Sequence, residues 1–145
     1  MRILINAVGI RGHGAATVTE ELVKAMATLK EKYQFNLILY KPEYREFLDP
    51  VLPPNVTIDY APIGDGLSSR LYWHYVGLPR LSTQLSSDYY FDLSNTFSKS
   101  VKCPGTVLIH QNYLFCNAKV PGIANKEKQI LRNYYAKKSV KNARY

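Results

Sequence analysis

The sequence predicts an α/β fold built on a mostly parallel sheet with helices on both faces. Two observations lead to this class: short aliphatic runs alternate with segments of helical periodicity, and a glycine cluster follows the first run. Alternating strands and helices are typical of a parallel sheet that is covered on both sides. The 145 residues fit one domain, long enough to bury a core of its own.

The elements follow in chain order. A strand over 2–6 leads into a glycine-rich loop over 9–14, and Thr17 with Glu20 forms a capping box at the start of a helix. Apolar residues then recur on one face of that helix as far as Leu29. The later predicted elements are strands over 35–40, 56–61, 89–93 and 106–109, a short helix over 43–48, a helix over 67–76 that breaks near Gly77 and resumes to 85, and a long helix from Lys126, capped by Asn125.

Composition excludes several classes. Hydrophobic residues make up 46% of the chain and charged residues 21%, which is ordinary for a globular protein. No apolar run approaches the roughly 20 residues that span a bilayer, and the N-terminal run is too short for a secretory signal. We therefore expect a cytoplasmic location. The chain has two cysteines, which are too few for a disulfide scaffold and lack CxxC spacing. Its three histidines are scattered, so the sequence predicts no metal site.

The positive charge is concentrated at the C-terminal end. Residues 117–145 hold eight Lys or Arg and a single acid, Glu127, whereas the other 116 residues hold eleven basic and ten acidic residues. Such an uneven distribution is not typical of a nucleic-acid binder. The stretch from Lys126 to Arg144 contains Tyr134 and Tyr135 and is typical of a basic amphipathic helix. Such a helix can lie on the anionic inner face of a cell membrane. A solvated helix face, or a helix that packs on further protein, explains the same pattern.

The glycine-rich loop is the first candidate ligand site. Gly9, Gly12 and Gly14 let the backbone approach a ligand, and the helix that follows offers free N–H groups suited to phosphate. His13 lies inside the loop, where it could line the same cleft. The spacing matches neither the P-loop nor the dinucleotide motif. A tight strand-to-helix turn without a ligand is the alternative.

Polar residues that follow the fourth and fifth strands are the second candidate. Ligands bind at the carboxyl ends of parallel strands, and Ser94 with Asn95 follows the fourth strand. His110 ends the fifth strand and leads into Gln111 and Asn112. A histidine at that edge can donate to a sugar hydroxyl or stabilise charge in a transition state. A structural histidine bonded to a backbone carbonyl, and a plain turn at Ser94, are the alternatives.

Five segments in this order point to a known family. They are MRILI with GIRGHGAATVTEEL, then RLYWHYVGLPRL, DYYFDLSN, PGTVLIHQN and NYYAKKSVKNARY, and together they cover nearly the whole chain. The set resembles the N-terminal half of family 4 glycosyltransferases of the GT-B fold. The resemblance implies a Rossmann-like N-terminal domain over 1–145 on the acceptor side. No strand follows the last helix, so we expect the chain to be a truncated piece of a longer protein. The resemblance implies that its absent part is a C-terminal nucleotide-sugar domain.

The resemblance also implies an activity. Such enzymes transfer a sugar from a nucleotide-sugar donor to a saccharide or lipid-linked acceptor, as in polysaccharide biosynthesis, and the nucleotide sugar is a substrate, so we expect no cofactor or metal. The glycine loop would lie against the donor phosphates, and His110 near the transferred sugar; Gln111 stands where the family has an acid. We expect the 145-residue chain alone to be inactive. A stand-alone α/β ligand-binding or regulatory domain without catalysis is the alternative function.

Overall fold

The computed structural model describes residues 1–10, 13–29, 32–48, 52–109 and 126–143. Its centre is one sheet of five strands, all of them paired in parallel. The strands are β1 (Arg2–Asn6), β2 (Gln34–Leu39), β3 (Val56–Tyr60), β4 (Tyr89–Asp92) and β5 (Gly105–Val107). Their order across the sheet is β3-β2-β1-β4-β5. This confirms the α/β, Rossmann-like class that the sequence predicts.

Helices connect the strands. The described helical segments are α1 (His13–Ala27), a short 3-10 helix (Pro42–Phe47), α2 (Leu67–Tyr72), a π-helical turn (Trp73–Gly77), α3 (Leu78–Gln84) and α4 (Lys126–Asn142). Among the residues described, no helix is both long and apolar enough to cross a bilayer.

Helices pack against both faces of the sheet. Successive side chains of a strand point to opposite faces, and both sets are apolar here. Ile5 of β1 packs into a core with Val23 and Met26 of α1, on what we call the first face. Leu4, its neighbour in β1, points the other way and packs with Trp73 and Leu78, on the second face. The near-continuous apolar sequence of the strands follows from burial on both sides.

Helix α1 begins one turn earlier than predicted. It starts at His13, so Thr17 lies inside the helix and the predicted capping box with Glu20 is wrong. Ala15 and Ala16 precede Thr17 and have the highest helix propensity, which favours extending the helix backward.

The helix predicted to break near Gly77 is continuous, and this is a second correction. α2 runs through the π-helical turn directly into α3. Gly77 fits there because an ideal Cβ on it would lie 2.6 Å from Cε3 of Trp73. Pro79 follows the π-helical turn directly, and a proline inside a continuous helical path removes one backbone hydrogen bond. The strand bounds differ from prediction by one residue for β2 to β4, while β5 ends at Val107 and not at 109.

Helix α4 is attached to the segment that follows β4. Ala136 and Ser139 are buried, 1% and 4% exposed. The Oγ of Ser139 accepts a hydrogen bond from the backbone N–H of Phe97 at 2.8 Å and donates to the carbonyl of Tyr135. Ala143 packs with the core of the second face, so α4 lies on the same side of the sheet as α2 and α3.

Candidate functional site

The strand order defines where a ligand crevice forms. β1 and β4 are neighbours in the sheet, yet the chain leaves β1 toward β2 on one side and passes from β4 to β5 on the other. Open α/β sheets bind ligands outside the carboxyl ends of the strands at such a switch point. The sheet ladder continues to this edge, where the N–H of Leu93 donates to the carbonyl of Asn6 at 2.9 Å. The two segments after these strands therefore meet there.

Gly9 and Ser94 are in direct contact at this edge. An ideal Cβ on Gly9 would lie 2.4 Å from Cβ of Ser94 and 2.8 Å from its Cα, so no side chain fits at position 9. Glycine is needed here for close approach of two backbones. The contact holds the loop after β1 against the turn after β4.

Asp92, the last residue of β4, is the centre of a buried polar cluster. Its side chain is 0% exposed and accepts four hydrogen bonds. Oδ2 accepts from the hydroxyl of Tyr90 and from Nδ2 of Asn6 at 3.1 Å. Oδ1 accepts from the backbone N–H of Ser94 at 2.7 Å and from its hydroxyl. The carboxyl thus ties β1, β4 and the following turn together.

Burial controls the protonation of this cluster. It raises the pKa of Asp92, while the hydrogen bonds from Ser94, Tyr90 and Asn6 act in the opposite direction. Burial, and secondly the charge of Asp92, raise the pKa of the Tyr90 hydroxyl well above its ordinary value. Tyr90 therefore stays protonated at neutral pH and acts as a donor to the carboxyl.

Asn6, the last residue of β1, extends the cluster toward the second face. Its Oδ1 accepts a hydrogen bond from Nε1 of Trp73 at 3.2 Å, and its Nδ2 lies 3.3 Å from the Oγ of Ser94. The indole therefore links the π-helical turn to the sheet edge. The hydroxyl of Ser98 donates to the carbonyl of His74 at 2.6 Å, which links the π-helical turn to the segment after β4 as well.

The structure brings three of the predicted site residues together. Gly9 contacts Ser94, and Asn95 follows in a left-handed conformation with φ of 62°. Asparagine tolerates that region better than most residues, and it turns the chain away from β4. The loop predicted over 9–14 is too long, because the backbones of His13 and Gly14 already form the first turn of α1, which begins four residues after Gly9. The N-terminal end of α1 therefore lies at the same edge of the sheet as this turn.

The remaining predicted residues fall outside the described part of the chain. These are Gly12, which the sequence predicts in a glycine-rich loop, and His110, Gln111 and Asn112, which it predicts at the end of the fifth strand and after it. Their roles stay predictions that rest on sequence position and on the resemblance.

Sequence reasoning missed Asn6 and Asp92. Both are polar residues at the last position of a strand that is otherwise buried and apolar. Because these strands are neighbours in register, with Asn6 paired to Asp92, their side chains meet. The sequence does contain a signal for this pair, because each of the two buried strands ends in a polar residue.

A second polar cluster lies at the same edge but beside β2 and β3. The Oδ1 of Asp65 accepts a hydrogen bond from the hydroxyl of Tyr40 at 2.5 Å. Its Oδ2 pairs with the ammonium of Lys41 at 3.2 Å, and the two charged side chains are 71% and 41% exposed. Asp65 raises the pKa of Lys41 through a hydrogen bond and its charge. We call these three residues the lateral cluster, and Asn6, Tyr90, Asp92 and Ser94 the central cluster.

The central cluster can hold Ser94 in place for a ligand, but Asp92 itself cannot contact one. Asp92 is fully buried, whereas Ser94 and Asn95 remain partly exposed. A hydroxyl, an amide and a helix start at one edge suit a polyhydroxylated or phosphorylated ligand. Within the described residues, no three His, Cys, Asp or Glu side chains group as metal ligands would. No family model and no curated protein matches the chain.

Proposed function

We propose that this chain is the acceptor-side domain of a nucleotide-sugar-dependent glycosyltransferase, and that its ligand crevice lies between the ends of β1 and β4. One observation carries the proposal. Gly9, the start of α1 and the turn at Ser94 and Asn95 lie together at the switch point of the sheet. The order of motifs along the sequence supports the same activity by resemblance.

The chemistry assigns a task to each part of this edge. The bond between the anomeric carbon and the leaving diphosphate breaks, while a bond forms from that carbon to an acceptor hydroxyl, which loses its proton. Negative charge builds on the diphosphate, and N–H groups at the start of α1 stabilise it. Ser94 and Asn95 offer hydrogen-bonding groups to sugar hydroxyls. His110 follows β5 in the sequence and, in this proposal, orients the transferred sugar.

The test is an assay of the complete gene product with nucleotide sugars and saccharide or lipid-linked acceptors, which measures release of the nucleoside diphosphate. His110→Ala should lower turnover by about 10²–10³-fold, the effect of removing one preorganised polar group from a transition state. His74→Gln is the matched control, because its side chain belongs to the π-helical turn and not to the sheet edge. It should leave turnover nearly unchanged.

Two results would contradict the proposal. Normal turnover in His110→Ala would remove that residue from the site, and transfer by the 145-residue chain alone would show that no second domain is needed. Saturable binding of a ligand without turnover by the complete product would instead support the stand-alone binding domain. A reading frame that continues past codon 145 into a second α/β domain is expected for the enzyme.

A further inference from the structure

The helices on the second face of the sheet expose apolar side chains outward. In α2 and the π-helical turn, Trp73 points inward and is 5% exposed. Leu67, Leu71 and Tyr75 are spaced by four residues and lie on the opposite side, with exposed fractions of 73%, 43% and 45%. We call these three residues the leucine stripe. Removing so much apolar surface from water would be favourable if the stripe met an apolar environment.

Helix α4 exposes a second stripe on the same side of the sheet. Its inward side carries the buried Ala136 and Ser139, and the helical repeat places Ile130 and Tyr134 opposite them, 61% and 55% exposed. Three exposed lysines complete what we call the lysine–tyrosine stripe: Lys137, Lys138 and Lys141. The ammonium of Lys138 lies 5.5 Å from the ring centre of Tyr134, a cation–π distance.

The positive charge of the second stripe is not neutralised locally. After Glu127 the sequence contains six Lys or Arg and no acid. In the described part of the chain, the ion pairs involve Lys24 and Lys41, and none reaches the lysines of α4. The stripe is therefore complementary to an anionic surface.

We propose that the leucine and lysine–tyrosine stripes together form a docking surface for an anionic lipid membrane. The charge complementarity of α4 selects an anionic partner, and exposed Leu67, Leu71 and Ile130 favour one with an apolar layer beneath its charge. Tyrosine suits the headgroup level between the two, and lysine ammonium groups reach the phosphates while their stems stay apolar. Nucleic acid would gain little from the leucines. This inference is independent of the proposed enzymatic activity.

The test is co-sedimentation of the purified 145-residue chain with vesicles. One set contains phosphatidylglycerol and phosphatidylcholine in equal parts, and the other contains phosphatidylcholine alone. The chain should sediment with the anionic set only, and added salt should weaken binding. Lys137→Gln/Lys141→Gln should weaken partitioning by about tenfold to thirtyfold, the effect of two lysines near an anionic surface.

Matched variants in α1 and just after its end test whether the position of the lost charge or apolar side chain matters. Lys24→Gln/Lys32→Gln removes the same charge from exposed lysines outside the second face and should keep wild-type binding. Leu71→Gln, at 43% exposed, should weaken binding by about tenfold, whereas Leu29→Gln, at 46% exposed just past α1, should not. Circular dichroism checks that each variant folds.

Three outcomes would overturn the proposal. One is equal recovery of the wild-type chain in the supernatant of both vesicle sets. Another is unchanged anionic binding in the lysine variant. The third is tight, salt-sensitive binding to duplex RNA without vesicle binding, which would assign the stripe to nucleic acid.

Discussion

The central and lateral clusters place an aspartate at the same edge of the sheet in opposite environments. Asp92 is 0% exposed and is held by neutral hydroxyl, amide and backbone donors. Asp65 has a side chain that is 71% exposed and pairs with the ammonium of Lys41. The comparison teaches that burial, and not formal charge pairing, sets what each carboxyl contributes. A hydrogen bond left unmade in the interior costs far more than an ion pair lost in water.

The largest expected effect comes from the central cluster. Asp92→Asn replaces one acceptor oxygen by an NH₂ group, so donors from Tyr90 and Asn6, or from Ser94, face another donor. Each buried donor left unsatisfied costs about 1–3 kcal/mol, and two are affected. We expect a loss of about 2–6 kcal/mol in the free energy of unfolding, measured by urea denaturation at pH 7. A loss within scatter would show that the cluster does not hold this edge.

The free energy of unfolding that Asp92→Asn loses should also depend on pH. Burial raises the pKa of Asp92 above 3.8, so the folded state binds a proton more tightly than the unfolded state does. Wild-type stability from this group is fully present below the unfolded pKa and is lost as pH rises through the folded one. Asp92→Asn lacks this contribution, so the difference between the two proteins should be widest in acid and narrow with rising pH. A difference that widens instead would show that the hydrogen bonds outweigh burial.

The next largest loss of stability is expected where Gly9 contacts Ser94. Gly9→Ala would place its Cβ 2.4 Å from that of Ser94, so the loop must move away from the turn after β4. Overpacking of this kind costs about 1–3 kcal/mol, which thermal denaturation measures.

Gly64→Ala is the matched control, because a Cβ there lies 3.5 Å from the Oγ of Ser69, an ordinary contact. This control should be neutral or slightly stabilising, since alanine restricts the unfolded chain more than glycine does. Equal effects at Gly9 and Gly64 would contradict the close packing at the switch point.

Much of the fold was predictable from local pattern. β1 occupies the predicted residues 2–6, and the apolar strands with helices between them gave the parallel class. Buried parallel strands read as continuous apolar runs, so this signal depends little on distant contacts. The sequence also placed Gly9, Ser94 and Asn95 at one edge, because the carboxyl ends of parallel strands share it.

What escaped prediction depends on contacts between distant segments. Asn6 and Asp92 are 86 residues apart, and neither strand alone shows that they meet. The continuous path through Gly77 depends on the position of the Trp73 ring, which no local propensity contains. Tertiary packing decides these positions over local propensity. The early start of α1 is different, because the helix propensity of Ala15 and Ala16 before Thr17 is itself a local signal.

The smallest expected effect lies in the lateral cluster and completes the comparison. Asp65→Asn removes the charge that pairs with Lys41 but keeps an amide oxygen that can accept from the hydroxyl of Tyr40. Solvent and salt already screen an ion pair this exposed, so the urea midpoint should stay within scatter of wild type. Measured beside Asp92→Asn, the same change of acid to amide then compares a buried carboxyl held by neutral donors with an exposed carboxyl in an ion pair. A midpoint shift in Asp65→Asn as large as that of Asp92→Asn, persisting in high salt, would show that the lateral cluster also holds this edge of the sheet.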